Sequence, residues 1–212
     1  MKKLTPLKLA AMATMIGACS IAQASLTVYT TRASFLAAVA NVATDTFNDL
    51  MPATSYAGPL SRSAGSLSYE VNSDDSILYG AGSNFNPWLS NNQAAGTIDF
   101  YNFDAGVNAA GGRFFGSDIS GMFEAGATIY VTATDADGSV TQTVLNAKRR
   151  SFVGFVSDGA LLGLSVSADQ SNGPVWGTVN NLILAAVPEI GTYAMFLAGL
   201  GVIGIVARRR MR

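Results

Sequence analysis

Residues 128–145 read TIYVTATDADGSVTQTVL, and they decide the fold. Ile129, Val131 and Ala133 alternate with Tyr130, Thr132 and Thr134, the period-two pattern of a strand with one apolar and one polar face. Asp135-Ala136-Asp137-Gly138 interrupts the alternation, and a second apolar-polar run follows from Val140 to Leu145. Two alternating runs joined by an Asp-Gly turn predict an antiparallel hairpin, because Asp and Gly supply the backbone angles that a tight connection needs.

Outward from this hairpin the chain repeats the same style in short pieces. Strands are predicted at 67–71, 77–79, 97–103, 113–116, 152–156, 161–166 and 175–184, with Ile98 and Phe100 on one face of their strand. Near the N-terminus a strand at 26–30 leads into one short helix at 32–40. Thr30 or Thr31 is its N-cap, Phe35, Leu36 and Val39 turn toward the core, and a strand at 43–47 follows. Residues 51–66 hold Pro52, Gly58, Pro59 and Gly65 and read as a loop. The polar stretch 84–93, with Trp88 after Pro87, reads as a second, long loop. No repeat of fixed period is present, which argues against a propeller or solenoid. The expected fold is all-β, an antiparallel β-sandwich with one short N-terminal helix.

Composition narrows the function. Of 212 residues, 13 are basic and 14 acidic, but Lys2, Lys3, Lys8, Arg208, Arg209, Arg210 and Arg212 lie at the two ends. Residues 25–186 keep six basic against thirteen acidic side chains, a net charge near −7. Such a domain is a poor partner for nucleic acid. The chain has no histidine, and its one cysteine, Cys19, lies near the N-terminus. Ser-His-Asp and Cys-His catalysis and the usual zinc sites are excluded.

The two ends carry targeting patterns. Residues 1–24 have a positive start, an apolar run at 9–22 and the small residues Ala22 and Ala24, so a signal peptide cleaved before Ser25 is expected. A permanent N-terminal helix, or lipidation at Cys19 after Ile16-Gly17-Ala18, are the alternatives. Residues 187–212 begin with Val187-Pro188-Glu189, continue as an uncharged apolar run from 190 to 207, and close on Arg208, Arg209, Arg210 and Arg212. A run of about 18 residues just crosses a bilayer as a helix. The arginines are expected to stay cytoplasmic, with Pro188 and Glu189 on the outer side. The organisation read from sequence is therefore 1–24, 25–186 and 187–212.

Candidate sites in the middle domain are few. Trp88, in its polar stretch, is the best candidate for contact with a sugar ring, ahead of Tyr79, Tyr101 and Trp176. Asp135-x-Asp137-Gly138 and Asp74-Asp75 leave calcium open as an ion, although turn chemistry accounts for both and no cofactor is required. Glu70 and Glu124 are the only glutamates in the domain, and no pattern pairs them as a glycosidase requires. Lys148-Arg149-Arg150 reads as a solvated turn between strands. No enzymatic activity is expected.

The order of Val187-Pro188-Glu189, the apolar span and the arginine cluster resembles a PEP-CTERM sorting signal, with Ile190 where a proline is usual. Tyr29-Thr30, Phe35-Leu36, Asp45-x-Phe47-x-Asp49, the 152–156 segment and Val179-Asn180-Asn181-Leu182-Ile183 resemble ectodomains that carry such tails, with Asn180-Asn181 where an Asp is common. The resemblance implies a jelly-roll-like sandwich without an activity. It also implies export in a Gram-negative bacterium, transient anchoring by a C-terminal transmembrane helix, and recognition of Val187, Pro188 and Glu189 by an exosortase. The destination it implies is the cell surface or the exopolysaccharide matrix, and the polysaccharide is a second expected partner.

Overall fold

A computed structural model describes residues 25–186. The expected signal peptide with Ala22 and Ala24, the expected sorting box Val187, Pro188 and Glu189, the expected transmembrane span and Arg208, Arg209, Arg210 and Arg212 lie outside the described residues.

The hairpin forms as its sequence dictates. β11 (Ile129–Asp135) and β12 (Gly138–Val144) pair antiparallel, from Ile129 opposite Val144 to Asp135 opposite Gly138. Ile129, Val131 and Ala133 are fully buried, while Tyr130 faces outward. The Asp135 carboxylate accepts the N–H groups of Asp137 and Gly138 at 3.0 and 3.2 Å and the Ser157 hydroxyl at 2.9 Å.

β11 continues into a six-stranded sheet through β14 (Gly163–Ala168), β8 (Ile98–Tyr101), β5 (Leu67–Ser73) and β4 (Leu60–Ala64). The second sheet runs β1 (Leu26–Tyr29), β13 (Phe152–Ser157), β9 (Ala109–Ser117), β15 (Trp176–Ala186), β7 (Asn86–Asn91), β6 (Ile77–Ser83) and β3 (Thr54–Ala57). β10 (Phe123–Glu124) adds to β9, and β2 (Ala40–Asp45) adds to β15. Every pairing is antiparallel. Phe100, Val131 and Leu164 of one sheet share a single apolar core with Phe114, Phe155 and Val179 of the other. The domain is thus a β-sandwich.

A smaller apolar cluster gathers Phe35, Ala109, Phe152, Ile183 and Ala185. Phe35 comes from the one helix, α1 (Arg32–Ala38), whose N-cap is Thr31, its side-chain oxygen accepting the Ser34 N–H at 3.2 Å. The helix reaches the sheet because residue 154 is glycine: a Cβ there would lie 2.4 Å from the Phe35 ring.

Two expectations fail. Residues 51–66 are not a loop but hold β3 and β4, with Pro52 before the first and Pro59 between the two. Residues 84–93 hold β7, whose Ser90 and Asn91 are buried polar residues, so the apolar alternation that marks a half-buried strand is missing. The helix also stops two residues early, at Ala38, because β2 begins at Ala40.

One ion cluster ties the sheets together at an edge. Asp45 ends β2 in the nine-stranded sheet, whereas Arg62 and Tyr69 lie opposite each other in the six-stranded sheet. Arg62 donates through Nε and Nη2 to both Asp45 oxygens at 2.7 and 2.9 Å, and Tyr69 donates to Asp45 at 2.7 Å. Asp45 also accepts the Phe47 N–H at 2.8 Å, and the guanidinium lies 5.0 Å over the Phe47 ring. Arg62 reaches Asp49 as well, at 2.7 and 3.0 Å. Burial works against the Arg62 charge, but the hydrogen bonds to Asp45 and Asp49 outweigh it and its pKa is raised. Burial, with Asp45 beside it, pushes the Tyr69 phenol up.

The Arg62 and Asp45 side chains are 8% and 5% exposed, while Asp49 is 69% exposed. Arg62→Leu strands a buried carboxylate and is expected to cost about 3–5 kcal/mol in urea unfolding. Asp49→Ala removes an exposed partner and costs about 0–1 kcal/mol. The Arg62 hydrogen bond holds the Asp49 carboxyl below the ordinary aspartate value, and the Ser68 N–H and hydroxyl do the same for Asp104. Unfolding therefore takes up protons at these groups in acid. Stability is full above about pH 4 and declines as pH falls through the lowered folded values, a slope that acid titration of the urea midpoint reads.

Candidate ligand cleft

The part of the nine-stranded sheet formed by β6, β7 and the start of β15 carries a cleft of about 350 Å³. Tyr79 of β6 stands opposite Ser90 of β7, and both line it. Trp176 opens β15 and forms another wall, its Nε1 donating to the Asn92 carbonyl at 3.1 Å. Asn92 is held in turn by its amide, which donates to Asp75 at 2.8 Å. That bond is the leading reason the Asp75 carboxyl sits below its usual value.

The turn at 118–121 closes the remaining side. The Asp118 Oδ1 accepts the N–H groups of Ser120 and Met122 at 2.8 and 2.9 Å. Gly82 donates to the Gly121 carbonyl at 2.9 Å, which binds the turn to β6. Gly121 has φ +74°, and a Cβ there would press to 3.0 Å against the Ala81 Cβ, so this contact needs glycine.

Asn91, the last residue of β7, is 4% exposed and lines the cleft. Neither its Nδ2 nor its Oδ1 has a hydrogen-bond partner among the described residues. A primary amide offers two donors and an acceptor, and leaving them idle in a buried place costs free energy. Asp118 Oδ2 likewise accepts nothing from a described residue, since both bonds to its carboxylate go to Oδ1. The cleft therefore presents two aromatic rings and one idle carboxylate oxygen, with the unpaired Asn91 amide buried in its wall. Rings pack against C–H faces, and the polar atoms pair hydroxyl groups.

Of the four aromatics considered from sequence, the structure brings Tyr79 and Trp176 together. Tyr101 is in β8 of the other sheet. Trp88 is 2% exposed and packs edge-on against Phe115 at 5.2 Å, with the Arg149 guanidinium 5.9 Å over its ring. Trp88 is corrected from a ligand candidate to a core residue, because the stretch that holds it is a strand and not a loop. Asn91 and Asp118 were missed by sequence reasoning, and the one available signal was a run of polar residues around Trp88.

The two glutamates lie apart, on different sheets. Glu70 of β5 accepts the Asn102 amide at 2.8 Å, and Glu124 sits in β10 of the opposite sheet. Asp74 accepts the Thr97 N–H at 3.0 Å. Among the described residues no group of three or more metal-ligating side chains is placed to hold an ion, calcium included. Ser25, the residue expected to follow the signal peptidase cut, donates its N–H to Asp158 at 2.6 Å.

No protein-family model matches the chain, and neither does any curated protein. Among solved structures it is similar to a family 6 carbohydrate-binding module, at 14% identity and a TM-score of 0.34, over 63% of this chain and 93% of that one. It is also similar to a family 61 carbohydrate-binding module solved with β-1,4-galactotriose, at 15% identity and a TM-score of 0.27, over 55% and 88% of the two chains. Likenesses at these scores do not decide what the cleft binds.

The two tryptophans should separate cleanly by fluorescence. In Trp88→Phe the remaining Trp176 emission is expected to be quenched readily by acrylamide, and in Trp176→Phe the remaining Trp88 emission is expected to be blue-shifted and resistant. The reverse order would place the exposed ring at residue 88.

Proposed function

We propose that this chain is an exported, non-catalytic surface or matrix protein whose sandwich binds a glycan in the Tyr79–Trp176 cleft. The observation that carries the binding reading is the unpaired Asn91 amide buried in the wall of a cleft that Tyr79 and Trp176 also line. Sugars present C–H faces and closely spaced hydroxyls, and this combination suits both. The producer's own exopolysaccharide is the expected ligand source. The non-catalytic reading is supported where two carboxylates meet among the described residues: Asp45 and Asp49 both bind Arg62, and that bond holds the Asp49 carboxyl below its ordinary value. Glycoside hydrolysis needs one carboxyl with a raised pKa.

Export rests on the ends of the chain. Cleavage before Ser25 would convert its N–H into an α-ammonium group already 2.6 Å from the Asp158 carboxylate, so the cut product would gain an ion pair. The Val187-Pro188-Glu189 box, apolar span and arginine cluster are read as a sorting signal that holds the chain in the inner membrane until an exosortase removes it. A proline disfavours helix at the residue before it and favours extended backbone, which suits a protease-like site.

Two experiments test the halves separately. Intact mass of the protein from the cell envelope should correspond to a chain that starts at Ser25 and ends near the box. With Pro188→Ala and Glu189→Ala together, the tail should stay attached; removal at an unchanged rate would defeat the sorting reading. On a glycan array the purified chain should bind neutral oligosaccharides, and Trp176→Ala or Asn91→Ala should each weaken that binding about tenfold. Asn91→Ala should leave the melting temperature nearly unchanged, since its amide makes no bond to lose. An array without a single glycan above background would remove the binding reading.

A further inference from the structure

Residues 25–186 hold only six basic side chains against thirteen acidic ones, and their placement is uneven. Arg62 is consumed by Asp45 and Asp49. Arg149 lies over the Trp88 and Phe123 rings at 5.9 and 5.1 Å. Arg32, Arg113 and Arg150 converge instead on two adjoining cavities, of about 150 and 340 Å³, which share Arg32, Arg113 and Phe152. The three guanidiniums form no ion pair with a described carboxylate, although the domain has seven more acidic than basic residues. Thr44 and Asn181 add neutral polar atoms to the smaller cavity.

Each arginine stands on an ordered support. Arg113 is half-buried in β9, opposite Asn180 and Phe152 on its two sides. Arg32 begins α1, which Phe35 anchors to the sheet. Arg150 precedes Ser151, whose hydroxyl accepts the Lys148 N–H at 2.9 Å and whose carbonyl accepts the Phe114 N–H at 3.0 Å. Three like charges held together without a counter-charge repel one another, and a bound anion relieves that repulsion.

We propose that this arginine cleft binds the carboxylate groups of an acidic polysaccharide. Guanidinium and carboxylate match as planar, paired hydrogen-bonding groups, and three guanidiniums lining adjoining cavities suit the repeated carboxylates of a polymer. A lipid surface is disfavoured by two observations. None of the large apolar side chains exposed on the domain lines either cavity. The domain's net charge near −7 also repels an anionic leaflet. This site is separate from the Tyr79–Trp176 cleft and stands without it.

The test uses the full chain in detergent, with polygalacturonate as the acidic polymer, dextran as the neutral one, and vesicles of phosphatidylglycerol and phosphatidylcholine. Polygalacturonate should bind at about 0.05 M salt and weaken steeply by about 0.5 M, as screening requires. The combined Arg32→Gln, Arg113→Gln and Arg150→Gln variant should lose at least about tenfold in affinity for it. Its melting temperature should hold, because these side chains bond to no described residue. Lys148→Gln changes the charge next door without touching the cleft, and should alter affinity less than about twofold. The tail arginines are the same in every variant and cancel. Trp176→Ala should spare the salt-dependent binding, which keeps failure of the neutral-glycan reading distinct from failure of this one. The proposal is overturned if polygalacturonate does not bind, if the triple variant binds as well as the parent, or if Lys148→Gln costs as much as Arg150→Gln. Loss of vesicle binding in the triple variant, without polygalacturonate binding in the parent, would assign the cleft to lipid and overturn it equally.

Discussion

The structure depends on a single extra residue in β15. From Trp176 to Asn180 this strand pairs with β9 in step, and from Ile183 it pairs again, but one residue out of register. Asn181 and Leu182 together span the place of Gly112, and Asn181 takes φ +51° to allow it. That is a β-bulge, which bends a strand and increases its twist. Before the bulge the free edge of β15 pairs with β7 at Val179 and Leu89, and after it with β2, beginning at Leu182 and Asp45. One edge thus serves two strands in succession. Asparagine tolerates the left-handed region better than a β-branched residue, which explains Asn where a strand would otherwise take Val or Ile.

Both the ion cluster and the arginine cleft follow from that bend. Leu182 sets the register of Asp45, and so delivers its carboxylate to Arg62 across the sandwich. Ile183 sets the register of Thr44, which shares the smaller arginine-lined cavity with Asn181. The fixed backbone hydrogen bonds of the sheet leave no other place for these residues, since a buried N–H or C=O must find a partner. A position that looks like a local irregularity therefore governs stability at one edge and charge placement at another.

Much of this was legible in the sequence where side chains alternate. The hairpin, the Thr31-capped helix and most strands follow from apolar period and turn chemistry, and these local rules agree with the global fold. β3, β4 and β7 were not legible because Ser, Asn and Pro, which on propensity favour turns, break up their few apolar residues. Their pairing is set by tertiary partners instead, such as Tyr79 with Ser90 or Arg62 with Tyr69. The candidate cleft was half legible: Tyr79 and Trp176 were visible as aromatics, but nothing local marks Asn91 as buried and idle. Arg150 was visible only as part of a basic triplet, and its meeting with Arg32 and Arg113 joins three segments far apart in the chain.

The fate of Trp88 follows from the same register. Trp176 pairs with Ser117, Thr178 with Phe115 and Asn180 with Arg113, so Trp176 and Arg113 share one face of the nine-stranded sheet. Four residues of strand separate them, or about 13 Å. Phe115, between Arg113 and Ser117 along β9, meets Trp88 and Phe123 edge-on, and Arg149 lies over those two rings. Such a cluster gains from ring contacts and from a cation placed over the ring faces. Trp88 is thus spent on packing against Phe115 in the core. The aromatic that looked most available in the sequence is buried, and the one that looked committed to a core strand, Trp176, stands at the opening.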